Sequence, residues 1–442
     1  MYRLSVQVAG IGSVTEKGSG VPIPEDSQVS EFEFRNGMRI VLDRVRNYPL
    51  VTACMNVGLG WRHGPPHSRL APLLVARFMD TRLRRLAYRN SMCGLPPIQD
   101  IGFSVGEEST HHYALAPSSS CESLLWIFRS LLGVGEINVD TLRNADAKRL
   151  IERERGGEAL NPEPVELARI WRMMNPRGDA DHIPELGGPN SRARSSSLFW
   201  LVSRGHGPSN ATLIVSGDIP GDAEELIERY YGPLRRRPGR VKVEGTLAVL
   251  GESVSLRGEP SFGRSKLTCC WHSAGIRTRE DAAADVLSDM ISSSGPSGLL
   301  EEVGGEVSLG IWPECFQRSR RRRSMFVCSM LGRSTDGERE LLGRIDGLLE
   351  HIAEGRVSDA LVQSSKWRLE LMALRRMEGC VSRAVCISQH LDSYENMADW
   401  ELIRQRYYHD VGPGDVSKLA AELLSRPRAS LFSESVFPRG DV

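Results

Sequence analysis

No stretch of this chain stays apolar for the roughly 18–20 residues that a membrane-crossing helix requires, so no membrane partner is expected. Neither sign of charge is in excess. The 56 Lys and Arg balance 56 Asp and Glu, which removes the global electrostatic case for nucleic acid. Nine cysteines lack the paired spacing of a structural zinc site. Their odd number fits reduced thiols in the cytoplasm better than a disulfide framework. Residues 1–20 have no apolar core behind a basic stretch, so no secretory signal is expected. A phosphate-cradling loop is missing too, because Gly205-His-Gly207 and Gly304-Gly305 have neither its spacing nor its Lys-Ser/Thr end. Gly-x-Ser-x-Gly, the nucleophile turn of many hydrolases, is also absent. No His-x-x-Glu-His occurs in either direction, and the ten histidines form no Cys/His cluster.

What is present is ordinary globular composition, 40% hydrophobic and 25% charged over 442 residues, enough for two or more domains of about 100–200 residues. Residues 1–30 read as a loose arm, 31–238 as a first α/β unit, 239–247 as a linker and 248–442 as a second unit. Hydrophobic periodicity predicts strands over 32–42, 50–58, 100–106, 110–116 and 211–216. It predicts helices over 70–88, 120–132, 139–158, 163–174 and 221–231. After the polar 234–240 stretch a strand over 267–272 and a helix over 278–290 follow. Further helices are expected near 335–353, 357–374, 380–394 and 414–425.

Several segments resemble the insulinase/pitrilysin peptidases, zinc enzymes whose helix carries His-x-x-Glu-His. Phe34-Arg-Asn-Gly-Met-Arg-Ile-Val-Leu42 is similar to their opening strand, and residues 51–61 to their second. Asn210-Ala-Thr-Leu-Ile-Val-Ser-Gly217-Asp218, followed by Glu224-Leu-Ile-Glu-Arg-Tyr-Tyr-Gly232, resembles the strand and helix that close their first half. The resemblance implies an α+β fold. It would have two related α/β half-units, each a mainly antiparallel sheet with helices on one face, together forming half of a clamshell.

Residue by residue, the family's first histidine falls on Pro72, its glutamate base on Val75 and its second histidine on Ala76. None offers a lone pair to zinc or to a proton. The third ligand's position falls on Glu152, where an exposed helix charge is the plainer reading. In the second half, the family's cleft arginine and tyrosine, which stabilise the oxyanion, fall on Gly304 and Ile311. The resemblance places a peptide-accepting edge over 102–116, with Gly102, Thr110, His111 and Tyr113 as peptide-binding positions.

His63 and His67 are four apart, but the two prolines between them work against a helical metal pair. His111 and His112 alternate faces of a strand and cannot share one ion. Arg318-Ser-Arg-Arg-Arg-Arg323, between the apolar stretches 307–311 and 324–330, reads as a hairpin tip. It would be a solvated turn or a site for an acidic peptide or phosphate.

The resemblance therefore implies a non-catalytic chain with no cofactor of its own. It would pair as a heterodimer with an active zinc-bearing homologue around a peptide, with leader-peptide removal in natural-product maturation as one use. A stand-alone scaffold of the same fold is the rival reading. A repurposed enzyme drawing on His63, His67, His111 or a cysteine is the third.

Overall fold

Asn36-Gly37 divides the run expected as one strand over 32–42 into a hairpin. Gly37 lies at φ 83°, a conformation that favours glycine, and the Asn36 side chain donates to the carbonyls of Tyr231 (2.8 Å) and Leu234 (3.1 Å). In this computed structural model the described residues are 27–45, 49–64, 71–132, 165–175, 195–237, 250–258, 261–276, 278–293, 299, 312–319, 323–394, 397 and 408–436.

The strands in chain order begin with β1 (Ser27–Glu33), β2 (Arg39–Val45), β3 (Leu50–Val57), β4 (Gln99–Val105), β5 (Thr110–Pro117) and β6 (Ala211–Gly217). They continue with β7 (Val254–Arg257), β8 (Ser261–Phe262), β9 (Lys266–Ala274), β10 (Trp312–Arg318), β11 (Arg323–Leu331), β12 (Arg428–Ser433) and β13 (Ser435–Val436). The helices begin with α1 (Ala71–Met92), α2 (Cys121–Arg129), α3 (Val165–Met174), α4 (Ser195–Gly205) and α5 (Ala223–Tyr231). The rest are α6 (Arg279–Ser292), α7 (Glu338–Ala353), α8 (Asp359–Arg376), α9 (Cys380–Tyr394) and α10 (Pro413–Ser425).

Two compact units divide these elements, and neither is one continuous stretch of chain. The first takes 1–161, 183–244 and 376–398, the second 162–182, 245–375 and 399–442. Helix α3 therefore belongs with the second unit and α9 with the first. Residues 27–30, expected as the end of a loose arm, are the start of β1.

The first unit's sheet runs β1-β2-β6-β3-β5-β4, antiparallel except between β2 and β6. Strand alternation sends Ile40, Leu42, Val51, Ala53, Met55, Val57, Leu213 and Val215 to one face, into a core shared with α1, α2, α4 and α5. Around β6 the 210–218 segment shows why those residues are needed. The Asn210 amide donates to the Gly58 and Gly205 carbonyls at 3.1 and 2.8 Å. Gly217, at φ 120°, has the Leu50 carbonyl oxygen where a Cβ would stand.

The second unit's sheet runs β10-β11-β9-β12-β7, with only β12–β7 parallel. Leu267, Cys269, Trp271, Phe326, Cys328 and Met330 point into a core with α6, α7 and α10. The α+β class with two mainly antiparallel sheets is thus as expected. Among the described residues, each sheet in addition carries one helix on its second face, α9 over the first and α3 over the second. The hairpin at the arginine run exists, but its first arm is β10, which starts at Trp312; residues 307–311 lie outside the described residues.

Candidate functional site

Helix α1 begins at Ala71, ahead of the buried Leu73 and Leu74. Pro72 sits in its first turn, where a missing N–H costs nothing. Val75 is fully buried and belongs to the first unit's main core with Met55, Val57 and Leu74. Ala76 is buried in a smaller cluster with Leu73, Phe103 and Val105, and Trp61 packs against it. The three positions that would carry two imidazoles and a carboxylate are therefore apolar packing positions. These residues do not fit zinc, since hydrocarbon side chains cannot ligate it.

Glu152, Gly304, Ile311 and His67 lie outside the described residues. His63 is buried in the turn after β3, where its Nδ1 accepts from the Gly60 N–H at 3.0 Å. Among the described residues, no three His, Cys, Asp or Glu side chains gather as a metal site.

The expected peptide edge divides in two. Strand β4 is the outermost strand beside β5, and its pairing shifts register between Gln99 and Gly102. Gly102 lies opposite Tyr113, whose hydroxyl is 2.5 Å from where a Gly102 Cβ would stand, so the phenol covers the glycine. Thr110 and His111, by contrast, are buried. The Thr110 hydroxyl donates to the Leu59 carbonyl at 2.6 Å, and His111 turns toward α9.

That turn creates a polar cluster absent from the sequence reading. His111 Nδ1 lies 2.6 Å from Ser388 Oγ and its Nε2 3.1 Å from Asp392 Oδ2. Asn56 donates to the other Asp392 oxygen at 2.8 Å, and Ser109 Oγ donates to Asp392. Burial works against the imidazolium, but the Asp392 carboxylate and Cys54 outweigh it and raise His111 to about 10. Burial likewise opposes ionised Asp392, yet His111, Asn56 and Ser109 hold its pKa below the usual carboxylate range.

Serine, histidine and aspartate thus meet, but not as a nucleophilic triad. A protonated imidazole cannot take the serine proton, and Ser388 is fully buried. The cluster is a structural lock. A second lock lies on the same sheet face, where Arg383 Nη2 donates to Asp43 Oδ1 at 2.8 Å and Ser216 Oγ to Asp43 Oδ2 at 2.6 Å.

His112 points to the opposite face, its ring centroid 6.0 Å from Phe103 and 6.4 Å from His206. Burial first, then the neighbouring His206 and His111, push its pKa well down, while burial lowers His206 to about 4. Both are neutral side chains within the fold. Polar residues set into apolar strand sequences, Asp43 in β2, Thr52 and Asn56 in β3 and Ser216 in β6, were the sequence signal for a polar second face. The partners of Asn56 on α9 lie more than 300 residues away in the chain.

Residues 206–369 match the family described as the peptidase M16 inactive domain. Comparison with curated proteins finds no match. A protease from Helicobacter pylori superposes with TM-score 0.78 at 13% identity, over 92% of this chain and 99% of that one. The peptidase M16 inactive domain from Pseudomonas fluorescens does so with TM-score 0.73 at 12% identity, over 92% and 98%. A chain of Complex III2 from Candida albicans, with Inz-5 bound, gives 0.68 at 12% identity, over 91% and 95%. At these identities the likeness establishes the fold.

Proposed function

We propose that this chain, a homologue of the insulinase-type (M16) peptidases, is the non-catalytic subunit of a two-chain peptide-processing complex. The observation that carries this reading is the rebuilding of α1. Pro72, Val75 and Ala76 are buried apolar positions on a scaffold that otherwise keeps the peptidase fold. In the proposed complex an active homologue supplies the zinc and the general base. This chain supplies shape and, at the outer edge of β4, main-chain groups for an extended peptide. Leader-peptide removal in the cytoplasm is the use proposed for the pair.

The test is co-expression with a homologue that carries His-x-x-Glu-His. A stable heterodimer is expected, with peptide cleavage that needs both chains and no hydrolysis by this chain alone. A partner that cleaves equally well without this chain would overturn the proposal. A scaffold role without peptidase partner is the second reading, supported by the likeness to a chain of Complex III2; isolation in an assembly lacking any zinc peptidase would favour it.

A further inference from the structure

We propose that the outward face of α1, with the neighbouring α4, docks an acidic amphipathic helix from a protein partner. This does not rest on the pairing proposed above. Arg85, Tyr88, Arg89 and Met92 recur at the spacing that places side chains in one stripe of a helix. Tyr88 is 66% and Met92 70% exposed, and on α4, which packs beside α1, Phe199 is 53% and Trp200 40% exposed. Large apolar side chains so open on adjacent helices are what a docking surface presents.

Charge identifies the occupant. The one acidic residue in α1 and α4 is Asp80, which is buried and paired with Arg84 at 2.9 Å. Arg85 and Arg89 are exposed on the same stripe, so these two helices present a cationic face without an exposed carboxylate of their own. Arginine with tyrosine, methionine, phenylalanine and tryptophan, and no lysine, is the composition enriched at the centres of protein interfaces. A second copy placed symmetrically on this face would set Arg85 and Arg89 against their own counterparts, which like-charge repulsion disfavours. An anionic bilayer would favour apolar residues segregated from charge, whereas here Tyr88 lies between the arginines. An acidic helix with apolar anchors satisfies both features at once.

The probe is a synthetic peptide of about 20 residues, with Leu and Phe at helical i, i+3, i+4 spacing and Glu elsewhere, titrated into the full chain by fluorescence anisotropy. Saturable binding is expected, weakening as salt rises. Arg85→Glu with Arg89→Glu should weaken it at least tenfold, and Tyr88→Ser with Met92→Ser by a similar factor. Circular dichroism of both variants should match the parent, because the altered side chains are exposed. The same peptide with Lys for Glu should not bind. Binding unchanged in the Arg85/Arg89 variant would overturn the proposal. So would preference for phosphatidylglycerol vesicles over the peptide, or self-association lost in the Tyr88/Met92 variant.

Discussion

The two covering helices, α9 on the first unit's sheet and α3 on the second's, do the same architectural task, but only α9 adds buried ion pairs to its apolar packing. Under α3 the sheet presents Cys270, Met325, Val327, Ala429 and Leu431, met by Leu167, Ile170, Trp171 and Met174. Under α9 the corresponding face mixes buried Val41, Cys54 and Ile214 with Asp43, Asn56, His111 and Ser216, and α9 brings Arg383, Ser388 and Asp392 beside buried Ala384, Ile387 and Leu391. Apolar burial is non-directional and indifferent to pH. A buried ionic cover is held by geometry and by the ionisation of a few groups, and removing one partner strands the other. Each cover comes from the opposite half of the chain, so the exchange of segments is secured once by apolar packing alone and once by apolar packing with buried charge.

The largest expected effect tests the ionic cover. Arg383→Met leaves Asp43 buried without its cation and should cost about 3–5 kcal/mol, read as faster hydrogen exchange of α9 amides. Adding Asp43→Leu should restore much of that loss, since a well-packed apolar pair is often as stable as a buried ion pair. A single variant costing under about 1 kcal/mol would mean that the ion pair does not hold α9. On the apolar side, Trp171→Ala should cost about 3–5 kcal/mol through lost burial and the cavity left behind. Its loss should be equal at mildly acidic and mildly alkaline pH, and no second substitution nearby should rescue it.

The pH response should separate the units further. His111 has its folded pKa raised from 6.5 to about 10. Its contribution is therefore complete below pH 6.5 and declines as pH rises toward 10. Asp392 is shifted down from 3.8, so its contribution is present above that value and is lost on further acidification. Protection of the α9 amides, taken relative to their intrinsic exchange at each pH, should be greatest between these limits, and His111→Gln should flatten the alkaline side. Equal alkaline sensitivity in the His111→Gln variant would remove His111 from the account.

Much of this comparison was closed to the sequence for a physical reason. The 210–218 strand was legible because its demands are local: an asparagine bridging two carbonyls and a glycine at positive φ. The degenerate motif was legible because three residue types sufficed to exclude a ligand. The sequence predicts α9 as a helix but cannot tell its polar face from a solvated one, because Ser388 and Asp392 find His111 only after folding. The family resemblance, rather than the residue pattern, places His111 at a peptide edge, and its side chain is buried against α9. Strand β12 shows another limit, since Arg428–Ser433 acquires its place from antiparallel pairing with β9 and, over Ala429–Phe432, parallel pairing with β7.

A smaller effect is expected from Ala76→His, which forces an imidazole into the cluster of Leu73, Phe103 and Val105. Overpacking of that kind costs about 1–3 kcal/mol. It should not bring zinc, because Pro72 remains a non-ligand; about one zinc per chain by elemental analysis would contradict the apolar reading of α1.

The smallest effect concerns one hydroxyl. Ser109→Ala removes a donor to Asp392 while leaving Asn56 and His111 in place, so a cost of about 0.5–1.5 kcal/mol is expected. Its value lies in the direction of the pH shift. The Ser109 bond helps to lower the Asp392 pKa, so without it the carboxylate should protonate at a higher pH. Loss of α9 protection on acidification should then begin earlier, while the alkaline side set by His111 stays nearly where it was. A shift on the alkaline side alone would show that Ser109 acts through His111, which its hydroxyl also approaches at 3.3 Å.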